Sequence, residues 1–144
     1  MAKEAVTKNS KKQAIEWLKS ANDDLDSISY LIQAEHLTNI VAFHSQQAIE
    51  KSFKAILAFE NRRIPKKHDL FALHEIVKDD IKNIDSDLLF RINELYIESR
   101  YPGDIGLLPY GKPAISDAKE FYEYATDIFE KVCNILDIKI DDFK

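Results

Sequence analysis

Four polar side chains recur at intervals of three, four and three residues: His44, Gln47, Lys51 and Lys54. Residues with this spacing share one face of an α-helix. Imidazolium, amide and ammonium groups donate hydrogen bonds to phosphate oxygens, and each charge-assisted bond contributes about 1.5–3 kcal/mol. Two or three such bonds predict nucleotide binding in the micromolar to millimolar range. The alternative is that this stripe is an ordinary solvated helix face.

Other chemistries find little support in the residue pattern. The four histidines show neither the Glu-x-x-His nor the His-x3-His spacing with which helical bundles bind metals. No glycine-rich phosphate loop or serine nucleophile elbow is present, and no pair among the 25 acidic residues stands out as a general acid and base. The sequence therefore predicts no metal site and no cofactor.

Composition and charge limit the environment and the partners. The net charge of −5 gives no general attraction to nucleic acid or to an anionic membrane, so nucleic-acid binding would need a local basic patch. The densest basic cluster is interpreted as a solvated loop or as an RNA or phosphate contact; it comprises Arg62, Arg63, Lys66 and Lys67. The single cysteine, Cys133, cannot form an internal disulfide and is expected to be a small core residue. With no signal peptide or membrane span evident, a cytoplasmic location is expected.

The elements that must position these residues are all helical. Only 3 glycines and 4 prolines occur in 144 residues, which favours long helices. Apolar periodicity predicts an all-α, up-and-down bundle of five helices with a four-helix core. The domain is expected to span residues 12–137, between a flexible basic tail (1–11) and a frayed C-terminal tail (138–144). The helices are predicted to run from about 12 to 34, 40 to 60, 68 to 79, 87 to 100 and 116 to 137.

Polar residues near the apolar stripes are the informative ones. Asp24 lies off the stripe of the first helix, with Asp23 and Asp26, and is interpreted as part of a solvated face. Gln46 and Glu50 lie nearer the apolar edge of the second helix. A polar group in that position needs a hydrogen-bonding partner.

The segment after the fourth helix is a long loop. Tyr101 to Pro113 holds all 3 glycines and three of the 4 prolines of the chain, and loops of this length are commonly functional or disordered. Tyr101-Pro102 is expected to end the helix. Arg100 then interacts favourably with the helix dipole, or binds a phosphate or a carboxylate. Asp104 is expected to bond the loop backbone or to pair with Arg100.

Three elements carry a family resemblance, and a fourth, in the first helix, agrees with it. The second helix contains Gln47-Ala48-x-Glu50-Lys51-x-x-Lys54-Ala55, which resembles the signature helix of HEPN domains, roughly Q-A-x-E-K-x-x-K-A. The His68-x-Leu70 opening of the third helix and the Ser99-Arg100-Tyr101-Pro102 ending of the fourth agree in order and spacing, and so does Ala21-x-x-Asp24-Leu25 in the first helix. The resemblance covers about residues 12–137.

The resemblance implies a five-helix bundle that usually forms homodimers and is often encoded beside a minimal nucleotidyltransferase. Some members are metal-independent ribonucleases with an Arg-x4–6-His motif completed across the dimer. Others lack this motif and bind nucleotides or nucleic acid without cleaving them. The nucleotide or RNA site predicted for this chain comprises His44, Gln47, Glu50, Lys51, Lys54, Arg100, Tyr101 and Asp104.

The sequence departs from the ribonuclease pattern. Positions 105–107, where a histidine should follow Arg100, hold no histidine. Arg63 and His68 match Arg-x4-His formally, but they precede the third helix and the match is interpreted as coincidence. The catalytic candidates are therefore weak, and they are Arg100, His68 and His44.

The predicted function is a non-catalytic accessory or toxin-type subunit that binds nucleotide or nucleic acid and acts with a nucleotidyltransferase partner. Under that hypothesis the loop residue Tyr110 could accept a nucleotidyl group. The alternatives are a metal-independent ribonuclease toxin with a composite dimer site, and a purely structural bundle.

Overall fold

The computed structural model describes residues 6–100 and 112–144, and there it confirms the all-α bundle of five helices. No strand occurs in these described ranges. Short 3₁₀ turns lie at Glu35–Leu37 and Ile140–Phe143. The α-helices are α1 Lys8–Leu31, α2 Thr38–Phe59, α3 Leu70–Val77, α4 Ser86–Arg100 and α5 Ile115–Leu136.

Side-chain caps fix where the helices begin. Thr7 and Ser10 form a reciprocal capping box, with Ser10 N donating to Thr7 Oγ1 at 3.0 Å and Thr7 N donating to Ser10 Oγ at 2.8 Å. Helix α1 therefore starts at Lys8, inside the segment predicted to be a flexible tail. Asp69 caps α3 by accepting from Phe71 N at 2.9 Å.

Helix α2 is the central helix of the core. It packs against each of the other four α-helices. Its largest fully buried side chains are Ile49, Phe53, Ile56 and Leu57. Because α2 is surrounded in this way, polar residues on it are buried unless they lie on the one strip that its neighbours leave open.

The C-terminal part of the chain differs from the prediction. Helix α5 begins at Ile115, one residue before the predicted start, and Asp117 caps it by accepting from Ala114 N at 3.3 Å. Ile135 on this helix is 45% exposed. The expected frayed tail instead packs on the bundle, since Ile138 is 2% exposed and Phe143 contacts the ring of Phe129.

Cys133 lies half-buried on α5, as a small residue packed against the core. Burial, with a smaller contribution from the charge of Glu130, raises the pKa of its thiol to about 11. A thiol with a raised pKa is a poor nucleophile at neutral pH. Among the helices in the described residues, none is both long and apolar enough to cross a membrane.

Candidate functional site

A continuous band of polar residues runs along α2; His44, Gln47 and Lys51 are partly exposed, whereas Gln46, Glu50 and Lys54 are buried. We call this band the α2 polar face; it comprises His44, Gln46, Gln47, Glu50, Lys51 and Lys54. Helix α1 borders one side of it through Asp24 and Trp17, and His68 and Tyr96 border the other.

The first cluster of this face joins α1 to α2 through one carboxylate. Asp24 Oδ1 lies 2.8 Å from His44 Nδ1, and Asp24 Oδ2 accepts from Lys51 Nζ at 2.7 Å. Asp24 is only 8% exposed, so the prediction that it belongs to a solvated face is wrong. Its partners lie 20 and 27 residues away in the sequence, which explains why local periodicity missed them.

The second cluster surrounds Glu50, which is 4% exposed. Its carboxylate accepts from Lys54 Nζ at 2.9 Å and from Gln46 Nε2 at 3.2 Å, and it lies 3.1 Å from His68 Nδ1. Gln46 Nε2 also donates to the carbonyl oxygen of His68 at 2.7 Å, and Gln46 Oε1 accepts from Gln47 Nε2 at 2.7 Å. The predicted need of Gln46 and Glu50 for buried partners is therefore confirmed.

Aromatic rings connect the two clusters. Phe43 stacks on Tyr96 with ring centroids 5.6 Å apart and meets the edge of the His44 imidazole at 5.3 Å. Tyr96 in turn lies 6.2 Å from the His68 imidazole. Both histidines are therefore joined by one continuous series of ring contacts, although they come from different elements.

The two carboxylates determine what the histidines can do. An ionised carboxylate has no proton to donate, so in each pair the imidazole Nδ1 carries the proton. The neutral imidazole then has an unprotonated Nε2, which can act as a general base, and the imidazolium can act as a general acid or bind an anion. A carboxylate–histidine pair of this kind fixes the orientation of the ring.

Lys54 was predicted as a ligand-binding residue, with a solvated helix face as the alternative, and it lies buried. Its side chain is 6% exposed, and its ammonium lies 2.9 Å from Glu50 and 5.6 Å from the centre of the Trp17 ring. A lysine in this position serves the buried network rather than an incoming ligand. His44 and Lys51 keep 24% and 21% of their side-chain surface exposed.

Several predicted site residues lie outside the described residues: the side chain of Arg100, Tyr101, Asp104 and Tyr110. Within the predicted basic cluster, Arg63, Lys66 and Lys67 are exposed. Arg62 instead packs inward, donating to Glu60 Oε1 at 2.9 Å and to the carbonyl oxygen of Ile76 at 3.2 Å. It therefore fastens α2 to α3.

The predicted site omitted five residues that contribute to it: Trp17, Asp24, Phe43, Gln46 and Tyr96. Asp24 had a usable signal, because it is the acidic position of the Ala21-x-x-Asp24-Leu25 pattern. Trp17 precedes it by seven residues, two helical turns along the same side of α1. Nothing local marks Tyr96, whose ring reaches the site only through the packing of α4 on α2.

No group of three or more His, Cys, Asp or Glu side chains in residues 6–100 and 112–144 is arranged to hold a metal ion. The arrangement that is present offers hydrogen-bond donors, two oriented imidazoles and an aromatic border. These groups can bind a phosphate-bearing ligand or move a proton.

Comparisons with known proteins agree with the resemblance read from the sequence. A crystal structure described as that of an archaeal HEPN homologue matches with a TM-score of 0.64 and 25% sequence identity, over 86% of this chain and 98% of that chain. No curated protein gives a significant match. The family model described as HEPN domain matches residues 14–137, and the chain therefore belongs to the HEPN family.

Proposed function

We propose that this chain is a non-catalytic HEPN subunit, of accessory or toxin type, that binds a nucleotide or a nucleic acid on the α2 polar face. The observation that carries the proposal is the pairing of two histidines with two nearly buried carboxylates beside Lys51 and Gln47. Burying Glu50 with its partners costs desolvation energy, which a purely structural bundle could avoid with apolar residues. Family membership adds support for a role connected with nucleic acid.

A binding measurement tests the site. Lys51→Ala and Gln47→Ala should each weaken binding of ATP or of a ten-nucleotide single-stranded RNA by about 10–100-fold. Gln47→Ala removes a polar donor worth about 1.5–3 kcal/mol, and Lys51→Ala leaves the negative charge of Asp24 without the ammonium that balances it. Trp17 is the single tryptophan of the chain and lies beside Lys54, so its fluorescence reports ligand on this face.

The matched control is Lys131→Ala, which removes an exposed lysine of α5 paired with Asp127 at 3.1 Å. This variant should bind like the parent protein. The proposed site would be refuted if Lys51→Ala and Gln47→Ala bound as tightly as this control. It would also be refuted if the parent protein bound neither probe.

The proposed partner is a small nucleotidyltransferase, and the proposed assembly is a homodimer. Exposed apolar side chains on α3 and α4 support self-association. Phe71 is 37% exposed, Phe90 52% and Ile97 46%, and the ring centroids of Phe71 and Phe90 lie 5.8 Å apart. Coexpression with a transferase encoded beside this chain should yield a complex that survives size-exclusion chromatography. Separate elution would contradict the partnership.

A metal-independent ribonuclease is the second candidate, and the Glu50–His68 pair favours it. The His68 imidazole is half exposed, and the buried Glu50 carboxylate orients it. This arrangement suits proton transfer to or from an RNA hydroxyl. This candidate predicts RNA cleavage in EDTA that His68→Ala abolishes. RNA that stays intact after long incubation with the purified protein would eliminate it and leave binding as the function.

A further inference from the structure

The charges of the α2 polar face cancel when its histidines are neutral. Asp24 is balanced by Lys51 at 2.7 Å, and Glu50 is balanced by Lys54 at 2.9 Å. Each lysine is thus already committed to a carboxylate inside the protein. An anionic ligand that arrives at this face meets two neutral clusters rather than the cationic stripe that the sequence suggests.

The hydrogen bonds of the histidines reinforce this neutrality. With Nδ1 held by Asp24 in His44 and by Glu50 in His68, a neutral ring presents the lone pair of Nε2. A lone pair repels a phosphate oxygen. Protonation reverses this, because it converts Nε2 into a charged donor and gives the cluster a net charge of about +1, stabilised by the carboxylate behind it.

We infer that the α2 polar face binds phosphate-bearing ligands more tightly when His44 and His68 are protonated, so that binding is accompanied by proton uptake. This inference rests on the proposed function and adds its regulation: binding is strong in mildly acidic conditions and weak in alkaline ones. The expected ligand is a polyanion with closely spaced phosphates. The two imidazoles flank the Phe43–Tyr96 ring pair, so each can contact a different phosphate.

The net charge beside each imidazole is set by the charged groups that face it. His44 faces Asp24 of α1 and is flanked on α2 by Lys51, which shares that carboxylate. His68 faces Glu50 of α2, whose other oxygen holds Lys54, and on the α4 side it meets the Tyr96 ring.

Two charged residues adjoin His68 in the sequence. Asp69 is occupied in capping α3, where its carboxylate accepts from two backbone N–H groups. Lys67 is exposed to solvent.

The test measures affinity as a function of pH with a probe that does not itself titrate. A ten-nucleotide 2′-O-methyl oligouridylate with hydroxyl termini carries only phosphodiesters and cannot be cleaved through its 2′ oxygen. Isothermal titration calorimetry should show binding about tenfold or more weaker at pH 8 than at pH 6. Repeating the titration in buffers of different ionisation enthalpy should show net proton uptake on binding.

Variants separate the histidines from the rest of the site. The double variant His44→Gln/His68→Gln keeps polar side chains at both positions but cannot titrate there. Its affinities at pH 6 and at pH 8 should therefore agree within about twofold. Gln47→Ala should bind more weakly but keep the same slope, since it removes a donor and no titrating group. Circular dichroism at both pH values checks that each protein is folded.

The outcomes distinguish this inference from the proposal beneath it. Binding with the same affinity at pH 6 and pH 8, or with no proton uptake, overturns the proton linkage while leaving the binding site standing. Retention of the full pH dependence in the double variant also overturns it. Absence of binding at every pH overturns both.

Discussion

Glu50→Ala is expected to lower the free energy of unfolding by about 3–5 kcal/mol. The substitution leaves Lys54, whose side chain is 6% exposed, without the carboxylate that lies 2.9 Å from its ammonium. It also removes one of the two acceptors of Gln46 Nε2 and the partner of His68 Nδ1. An uncompensated charge at a buried position is costly because protein surroundings solvate it poorly. Urea unfolding followed by circular dichroism measures the loss.

A second acid–lysine pair of the same spacing provides the control. Asp127 and Lys131 on α5 are also four residues apart and lie 3.1 Å from each other, but their side chains are 58% and 40% exposed. Asp127→Ala should therefore cost no more than about 0.5 kcal/mol. The comparison contrasts the buried network of Glu50 with an exposed pair, since in both cases an acid precedes its lysine by four residues.

Removing both charges gives the complementary test. Glu50→Leu/Lys54→Met should recover most of the stability lost in Glu50→Ala, because no charge is then left buried alone. It should also abolish ligand binding if the second cluster is functional. A Glu50→Ala protein as stable as Asp127→Ala would contradict the whole account of the buried network.

Helix periodicity predicted the features of the fold that depend only on local sequence. The five helices, and the need of Gln46 and Glu50 for partners, both follow from which positions fall on the apolar edge of a helix. Their partners could not be predicted, because His68 is 18 residues from Glu50 and meets it only when α3 packs beside α2. Asp24 was misjudged for the same reason.

Lys54 illustrates a second limit of the sequence pattern. Its spacing from His44, Gln47 and Lys51 places it correctly on the polar side of α2, but periodicity does not reveal which part of that side α1 covers. Trp17 and Glu50 enclose the ammonium, so a lysine on the polar side is nevertheless buried. Exposure depends on the helix that packs against a face, whereas periodicity reports only the face.

The far side of α2 should affect stability without affecting the site. Ile56 is 0% exposed and follows Gln47 by nine residues, which at about 100° per residue puts the two side chains on opposite sides of the helix. Ile56→Ala is expected to lower the free energy of unfolding by about 2–5 kcal/mol, and Ile56→Val by about 0.5–1.5 kcal/mol. Urea unfolding of the two variants gives both values.

Oligonucleotide affinity distinguishes Ile56→Ala from Glu50→Ala even when the two variants lose similar free energies of unfolding. Below its unfolding transition, Ile56→Ala should bind the oligonucleotide with the parent affinity, because its cavity lies across the helix from His44, Gln47 and Lys51. Glu50→Ala should bind more weakly at the same temperature, because His68 loses the carboxylate that orients it. If both variants lost affinity equally, the histidines would depend on the general rigidity of α2 rather than on their own carboxylates, and the buried acids would have only a structural role.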